Sequence, residues 1–189
     1  SRILGANDKI NLGVIGCGGR GQSVMGTFQK SGQVQVTAVC DVFGDRRDEA
    51  ATKAPGAKTF NEHQRLLALK EVDSVLIATP DHWHCPIAID ALNAGKDVYV
   101  EKPLSLKIEE GMQVVKAARV NNRICQVGMQ QRSGIIYLQA KEEYFKTKKL
   151  GKITLARTWW HGNGAHLIRN HLLFRSLHLG CIIHFNASF

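Results

Sequence analysis

This sequence has little that would suit a disulfide framework, a structural metal or a membrane span. Its five cysteines (Cys17, Cys40, Cys85, Cys125, Cys181) are scattered and form no C-x-x-C pair. In a chain of this size that pattern argues against a disulfide scaffold and favours folding in a reducing compartment. Cys40 and Cys125 sit in apolar runs, where free thiols pack as small hydrophobes. No apolar run approaches the ~20 residues that cross a bilayer. Ser1 to Lys9 holds neither a charged leader nor an apolar signal core. With Ser1 where a starting Met would stand, the chain reads as a fragment or a processed form, any targeting segment lying upstream.

Carboxylates are missing from the C-terminal stretch. Residues 1–143 carry 18 Lys/Arg against all 16 Asp/Glu, whereas residues 144–189 carry 7 Lys/Arg and no acid. The formal net charge of +9 is therefore mostly a property of the tail. A nucleic-acid surface would interleave basic and aromatic side chains, and no such pattern is present. Nucleic acid and membrane are set aside as partners. Residues 165–189 hold His166, His171, His178 and His184 with no clear period. That break in composition reads as an unnatural end, left by a frameshift or a misjoined segment, rather than an ordinary helical terminus. The remainder is ordinary: 44% hydrophobic and 22% charged residues suit a soluble globular protein. At 189 residues there is room for one well-cored domain and part of a second.

The most informative stretch runs from Ile10 to Gly21. Leu12, Val14 and Ile15 form a short apolar run of strand character, and Gly16, Gly18 and Gly21 follow as G-x-G-x-x-G. In a dinucleotide site the first glycine permits a tight turn and the second lets backbone approach a pyrophosphate. The third allows close helix–strand packing, and the helix start offers free N–H groups to the anion. Gln33 to Cys40 is β-rich and leads into Asp41, 20 residues after Gly21. A Rossmann unit places there the acid that takes the adenosine ribose hydroxyls. The alternative for Asp41 is a plain turn residue after a strand. Arg46 and Arg47 lie close enough to accommodate a 2′-phosphate but read as solvated residues of the next helix, so NAD is favoured over NADP.

Further along, helices are expected over Asp45–Ala54, His63–Leu69 with Asn61 as cap, Ile87–Ala94 before Gly95, and Ser105–Val120 with Ser105 as cap. Strands are expected over Ser74–Ala78, Asp97–Val100 and Ile124–Val127. Ile135–Lys148 reads as a further helix, and Lys152–Trp160 as a strand opening a second domain. Alternating strands and helices on near-continuous apolar strands indicate α/β class, a Rossmann-type doubly wound parallel sheet covered on both faces. Only the start of a second α/β domain follows. The expected divisions are 8–128 for the NAD(P)-binding domain, 129–164 for the start of the substrate domain and 165–189 for the atypical tail.

Two strand ends carry candidate chemistry, because ligands of open α/β sheets bind outside the carboxyl ends of strands. Thr79-Pro80-Asp81-His82-Trp83-His84 holds two histidines and precedes Cys85, but the spacing matches no ordinary zinc pattern, and no metal is expected. His84 is the candidate for lining the nicotinamide region, and His82 reads as a cap or a solvent-facing residue. Glu101-Lys102-Pro103 ends the next strand. A lysine there can act on a carbonyl or hydroxyl as proton donor or electrostatic clamp, against the alternative of a solvated strand end. Pro103 is a candidate for a cis bond.

Taken in order, these motifs resemble the glucose–fructose oxidoreductase / inositol dehydrogenase / MocA family over about residues 8–164. Gly16-Cys17-Gly18-Gly19-Arg20-Gly21, Cys40-Asp41-Val42, Ala78 to His84 and Glu101-Lys102-Pro103 carry the resemblance. Gly128-Met129-Gln130-Gln131-Arg132 and Trp159-Trp160-His161-Gly162-Asn163 extend it. It implies a nicotinamide-dependent oxidoreductase of sugars, cyclic polyols or related compounds. Lys102 matches the active-site lysine that binds substrate and relays its proton. His84, Glu101 and Gln130 match positions near nicotinamide or substrate. Cys17, Gly19 and Arg20 fall within the cofactor loop, and Thr79 and Pro80 join the cofactor-binding set.

Members of that family draw an acid and a histidine, one helical turn apart, from a second domain, and no such pair occurs here. The chain as given then represents mainly the cofactor half, and a non-catalytic dinucleotide-binding module is the alternative. A redox-assisted glycosidase holding NAD is a further one, although those relatives tend to lack the lysine at position 102. The resemblance also implies a homo-oligomeric full-length parent. That parent is cytoplasmic, or exported after folding if a twin-arginine signal precedes Ser1.

Overall fold

The computed structural model describes residues 9–157. Between Gln130 and Gln131 the chain divides into two compact units. The first unit contains all six strands: β1 (Ile10–Ile15), β2 (Val34–Cys40), β3 (Lys58–Phe60), β4 (Ser74–Ile77), β5 (Asp97–Glu101) and β6 (Cys125–Gly128). They form one sheet in the order β3-β2-β1-β4-β5-β6, every pair parallel. The crossovers are α1 (Gly19–Lys30), α2 (Gly44–Thr52), α3 (His63–Leu67), α4 (His84–Asn93) and α5 (Ile108–Val120). This is the doubly wound order, whose topological switch falls between β1 and β4.

The strand sequences explain the two-sided burial. Along β1, Leu12 and Val14 join one core while Ile15 joins the other; along β4, Leu76 faces one side and Val75 and Ile77 the other. One layer packs against Val24 and Met25 of α1 and Ala50 of α2. The opposite layer takes Leu66 and Leu67 of α3, Ala88, Ala91 and Leu92 of α4, and Val114 and Ala117 of α5. Apolar residues on successive positions of a strand are what a sheet covered on both faces requires. Among the described residues Cys17, Cys40, Cys85 and Cys125 are free thiols.

Several local expectations give way. α3 begins at His63 with Glu62 at its cap position, so Asn61 is not the cap; its Oδ1 instead accepts a hydrogen bond from Arg47 Nη1. α5 begins at Ile108 with Lys107 at its cap position and no side-chain cap bond, so Ser105 is not the cap. Glu109 and Glu110 do fall in its first turn, where the positive helix end favours them. α4 starts at His84, three residues earlier than expected, because a 3₁₀ turn over Asp81–Trp83 feeds directly into it. Pro86 is tolerated there, since first-turn N–H groups have no partner within a helix. β3 has no forecast counterpart: it is a three-residue edge strand defined by pairing with β2 rather than by its own pattern.

In the second unit α6 (Ile135–Ala140) continues into a π-helical turn over Lys141–Lys146. The single helix expected to Lys148 therefore changes pitch at Lys141. Of the strand expected over Lys152–Trp160, the described residues 152–157 form none. The rest of that segment, the Trp159–Asn163 motif and the atypical tail lie outside the described residues.

Gly21 is where α1 meets the end of β1. A Cβ added there would lie 1.9 Å from the Gly16 carbonyl oxygen and 3.4 Å from Ala78 Cβ. Gly21→Ala should accordingly destabilise the fold by roughly 1–3 kcal/mol, the usual range for overpacking a tight contact. Urea unfolding followed by circular dichroism checks this; an unchanged midpoint would show that α1 can move away without cost.

Candidate functional site

The site grows out of the carboxyl ends of β1, β2 and β4. Gly16 adopts φ +93° and turns the chain out of β1. Its N–H donates to the Cys40 carbonyl at 2.8 Å, and the Ala78 N–H donates to the Ile15 carbonyl at 2.8 Å. Both bonds prolong the sheet into the turn. A Cβ on Gly16 would meet the Ala78 carbonyl group at 2.6 Å, so the turn requires glycine for space as well as for its backbone angle.

Asp41 fastens this turn from the neighbouring strand. Its Oδ2 accepts from the Cys17 N–H at 2.7 Å and its Oδ1 from the Phe43 N–H at 2.8 Å. Gln22 Nε2 donates to the Cys17 carbonyl at 2.8 Å from within α1. The Cys17 thiol is fully buried, and burial, followed by the Asp41 charge, pushes it up to about 12. Burial and Asp41 push Cys40 up to about 12 as well. Both are neutral packing groups rather than nucleophiles.

Beyond the turn, Gly18 is the cap residue of α1, which has no side-chain cap and no acid in its first turn. The opening N–H groups of the helix are thus left for an anion. A Cβ on Gly18 would come no closer to other atoms than 3.9 Å, to Arg46 Nη1, and one on Gly19 would meet nothing within 4 Å. The missing side chains leave open space against the loop. A cavity of about 490 Å³ fills it, bordered by Gly16, Gly18, Asp41, Phe43, Arg46 and Trp83. The Arg46 guanidinium stands 5.5 Å over the Phe43 ring. Arg47 is committed elsewhere, to Asp48 at 2.7 Å and to Asn61.

A second cavity of about 330 Å³ opens at the ends of β4 and β5, bordered by Asp81, His84, Glu101, Lys102 and Gln130. Arg20, Ala78 and Thr79 border both cavities. Thr79 Oγ1 is buried without a hydrogen-bond partner among the described residues. Arg20 places Nε 2.9 Å and Nη2 2.6 Å from Glu101 Oε1, joining the glycine loop to the end of β5. Glu101 is 4% exposed, and Tyr99 beside it is pushed up by burial and then by the Glu101 charge. Lys102 is exposed, and its peptide bond to Pro103 is cis.

The thirteen residues proposed from the sequence fall on the glycine turn and the start of α1, just after β2 (Asp41), between β4 and the first residue of α4, or between the end of β5 and Gln130. Pro80 borders the first cavity. His84 is buried, with both ring nitrogens against backbone carbonyls, whereas His82 is exposed. Sequence reasoning missed Phe43, Asn61, His63 and Trp83 on the wall of the first cavity. It also missed the His63 Nε2–Asp90 Oδ2 contact of 2.9 Å. No local pattern marks such pairs, whose members come together only when the helices pack. Among the described residues no cluster of metal-ligating side chains occurs, and no helix is long and apolar enough to cross a membrane.

The open glycine turn, the uncapped helix and the acid after β2 fit a bound dinucleotide, and known proteins agree with that geometry. Residues 10–129 match the model of an oxidoreductase family with an NAD-binding Rossmann fold. The chain superposes on the WlbA dehydrogenase of Chromobacterium violaceum, whose structure contains NADH and UDP-GlcNAcA. The TM-score is 0.71 at 26% identity, over 75% of this chain and 41% of that one. The apo scyllo-inositol dehydrogenase of Lactobacillus casei gives a TM-score of 0.71 at 27% identity, over 79% and 45%. The alpha-N-acetylgalactosaminidase of Shewanella oneidensis is 35% identical over 125 residues, which are 61% of this chain and 27% of that protein. The chain thus spans about a quarter of the length of such curated relatives. Its fold, its glycine turn and the match over residues 10–129 together assign it to the glucose–fructose oxidoreductase / inositol dehydrogenase / MocA family of NAD-binding Rossmann-fold oxidoreductases.

Proposed function

We propose that this chain binds NAD and is mainly the cofactor-binding part of an oxidoreductase that moves hydride to or from a sugar, a cyclic polyol or a related compound. The observation that carries the reading is the common wall of the two cavities, formed by Arg20, Ala78 and Thr79. A dinucleotide held at the glycine turn can thereby reach the cavity that contains Lys102. The backbone of Gly16 to Gly21, with Cys17 and Gly19 between, would hold the pyrophosphate, and Asp41 the adenosine ribose. Thr79, Pro80, His84, Glu101 and Gln130 would border the nicotinamide end. When bound, the nicotinamide ring supplies the hydride acceptor.

Oxidising a carbinol removes a hydride from carbon and a proton from oxygen. Lys102 is the group suited to the oxygen. Its ammonium would donate a hydrogen bond to the hydroxyl and stabilise the negative charge that develops as the hydroxyl proton passes to water, to which the exposed Lys102 is open. Glu101 is held by Arg20, so its charge is compensated within the same cavity.

The similarity to an alpha-N-acetylgalactosaminidase favours a second reading, a glycosidase that uses NAD without net oxidation of its substrate. Lys102 supports the dehydrogenase, because a cation beside the reacting oxygen suits a net carbinol–carbonyl interconversion. Incubation with NAD and a panel of sugars and cyclic polyols separates the readings. A dehydrogenase accumulates reduced cofactor in proportion to substrate consumed, whereas the glycosidase releases a free sugar with no net reduction. Cofactor binding without either change would leave a dinucleotide-binding module.

Asp41 should give NAD at least ~10-fold tighter binding than NADP, about 1.4 kcal/mol, because a 2′-phosphate would meet a like charge. Titrations monitored by protein fluorescence test this, and NADP binding as tight as NAD would refute it. Gly18→Val should abolish cofactor binding while leaving the circular dichroism spectrum unchanged. The added side chain points into open space rather than into the fold. Retained affinity would move the pyrophosphate away from this loop.

A further inference from the structure

His84 occupies the first turn of α4, is 1% exposed, and spans two loops with its ring. Nδ1 lies 2.6 Å from the Pro103 carbonyl oxygen and Nε2 lies 2.8 Å from the Thr79 carbonyl oxygen. Carbonyl oxygens accept hydrogen bonds and never donate them. A neutral imidazole carries one N–H and one bare lone pair, so it can donate to only one of these partners. The other contact would then set a lone pair against a lone pair. The ring satisfies both carbonyls only with a proton on each nitrogen.

The two loops are the ones that shape the second cavity. Thr79 lies just beyond β4 and borders both cavities, and Pro103 follows Lys102 directly. The next carbonyl, of Leu104, accepts from the Cys85 thiol at 3.2 Å, and the Lys102 N–H reaches Glu101 Oε2 at 3.4 Å. The backbone on either side of Lys102 is therefore tied, with α4 holding its C-terminal side. The charged groups around this corner are Arg20 from α1, Asp81 from the 3₁₀ turn, Glu101 at the end of β5 and Lys102 just after it. Glu110 from α5 acts on Cys85.

We infer that His84 is a positioning residue, a clamp whose two N–H groups hold the Thr79 loop against the Lys102–Pro103 turn and so set where Lys102 stands. The functional consequence rests on the reading that Lys102 acts on substrate beside the nicotinamide.

The test is nuclear magnetic resonance on the full chain with 15N-labelled histidine. Long-range 1H–15N correlations should show a proton on each His84 nitrogen. His84→Phe, which keeps a ring but offers no donor, should shift the backbone amides of Lys102 and Leu104, and His84→Gln, whose amide carries two N–H donors, should return them toward their native positions. A ring with a single N–H, or Lys102 and Leu104 amides that behave alike in the two variants, would overturn the clamp. Titrating NAD into the same samples keeps the two ideas apart. A clamp in a chain that does not bind NAD would refute only the oxidoreductase reading, and NAD binding with a single-N–H ring would refute only the clamp.

Discussion

At the end of β1 the Gly16 carbonyl and the start of α1 come so close that no side chain fits between them; a methyl at Gly21 would lie 1.9 Å from the oxygen. Much of the site depends on this contact. It holds the first turn of α1 directly behind the glycine turn, which leaves its free N–H groups beside the cavity. It also brings Arg20 within reach of Glu101, so the loop after β1 and the end of β5 border one cavity. A looser junction would separate the two groups of residues on which the oxidoreductase reading stands.

The electrostatics of the site are arranged around two carboxylates used in different ways. Asp41 spends both oxygens on backbone N–H groups, stiffening the glycine turn while still bordering the cavity. Charge-assisted bonds to backbone donors are among the stronger interactions a carboxylate makes. Glu101 is almost fully buried and is compensated by the half-exposed Arg20. Burying such a charge without its partner would be costly. Lys102, next along the chain, is exposed and borders the second cavity.

Within this family, similarity extends both to dehydrogenases and to a glycosidase, and the part compared is the part they hold in common. A Rossmann unit binds and orients a dinucleotide; what happens to the substrate depends on the groups gathered beside the nicotinamide. Lys102, His84 and the turn they share are therefore more informative about the reaction than the glycine loop, which any dinucleotide-binding relative would carry.

The amino-acid sequence alone was sufficient for the parallel sheet, because strands buried on both faces must read as apolar runs separated by helices and turns. It was sufficient too for the glycine turn, where Gly21 is required by the nearby Gly16 carbonyl, and for Asp41, whose distance from that turn is set by one helix and one strand. Tertiary structure alone decided the pairings between distant segments. Arg20 and Glu101 are 81 residues apart and His63 and Asp90 are 27 apart, so no periodicity links them. The same holds for β3, which exists only through its ladder with β2, and for Asn61 and Ser105, displaced from their expected capping roles by where the packed helices begin. His84 shows the division most clearly. Its place after β4 follows from the sequence motif, but its engagement with two carbonyls follows from folding, which brings the end of β4 and the turn after β5 to opposite sides of one ring.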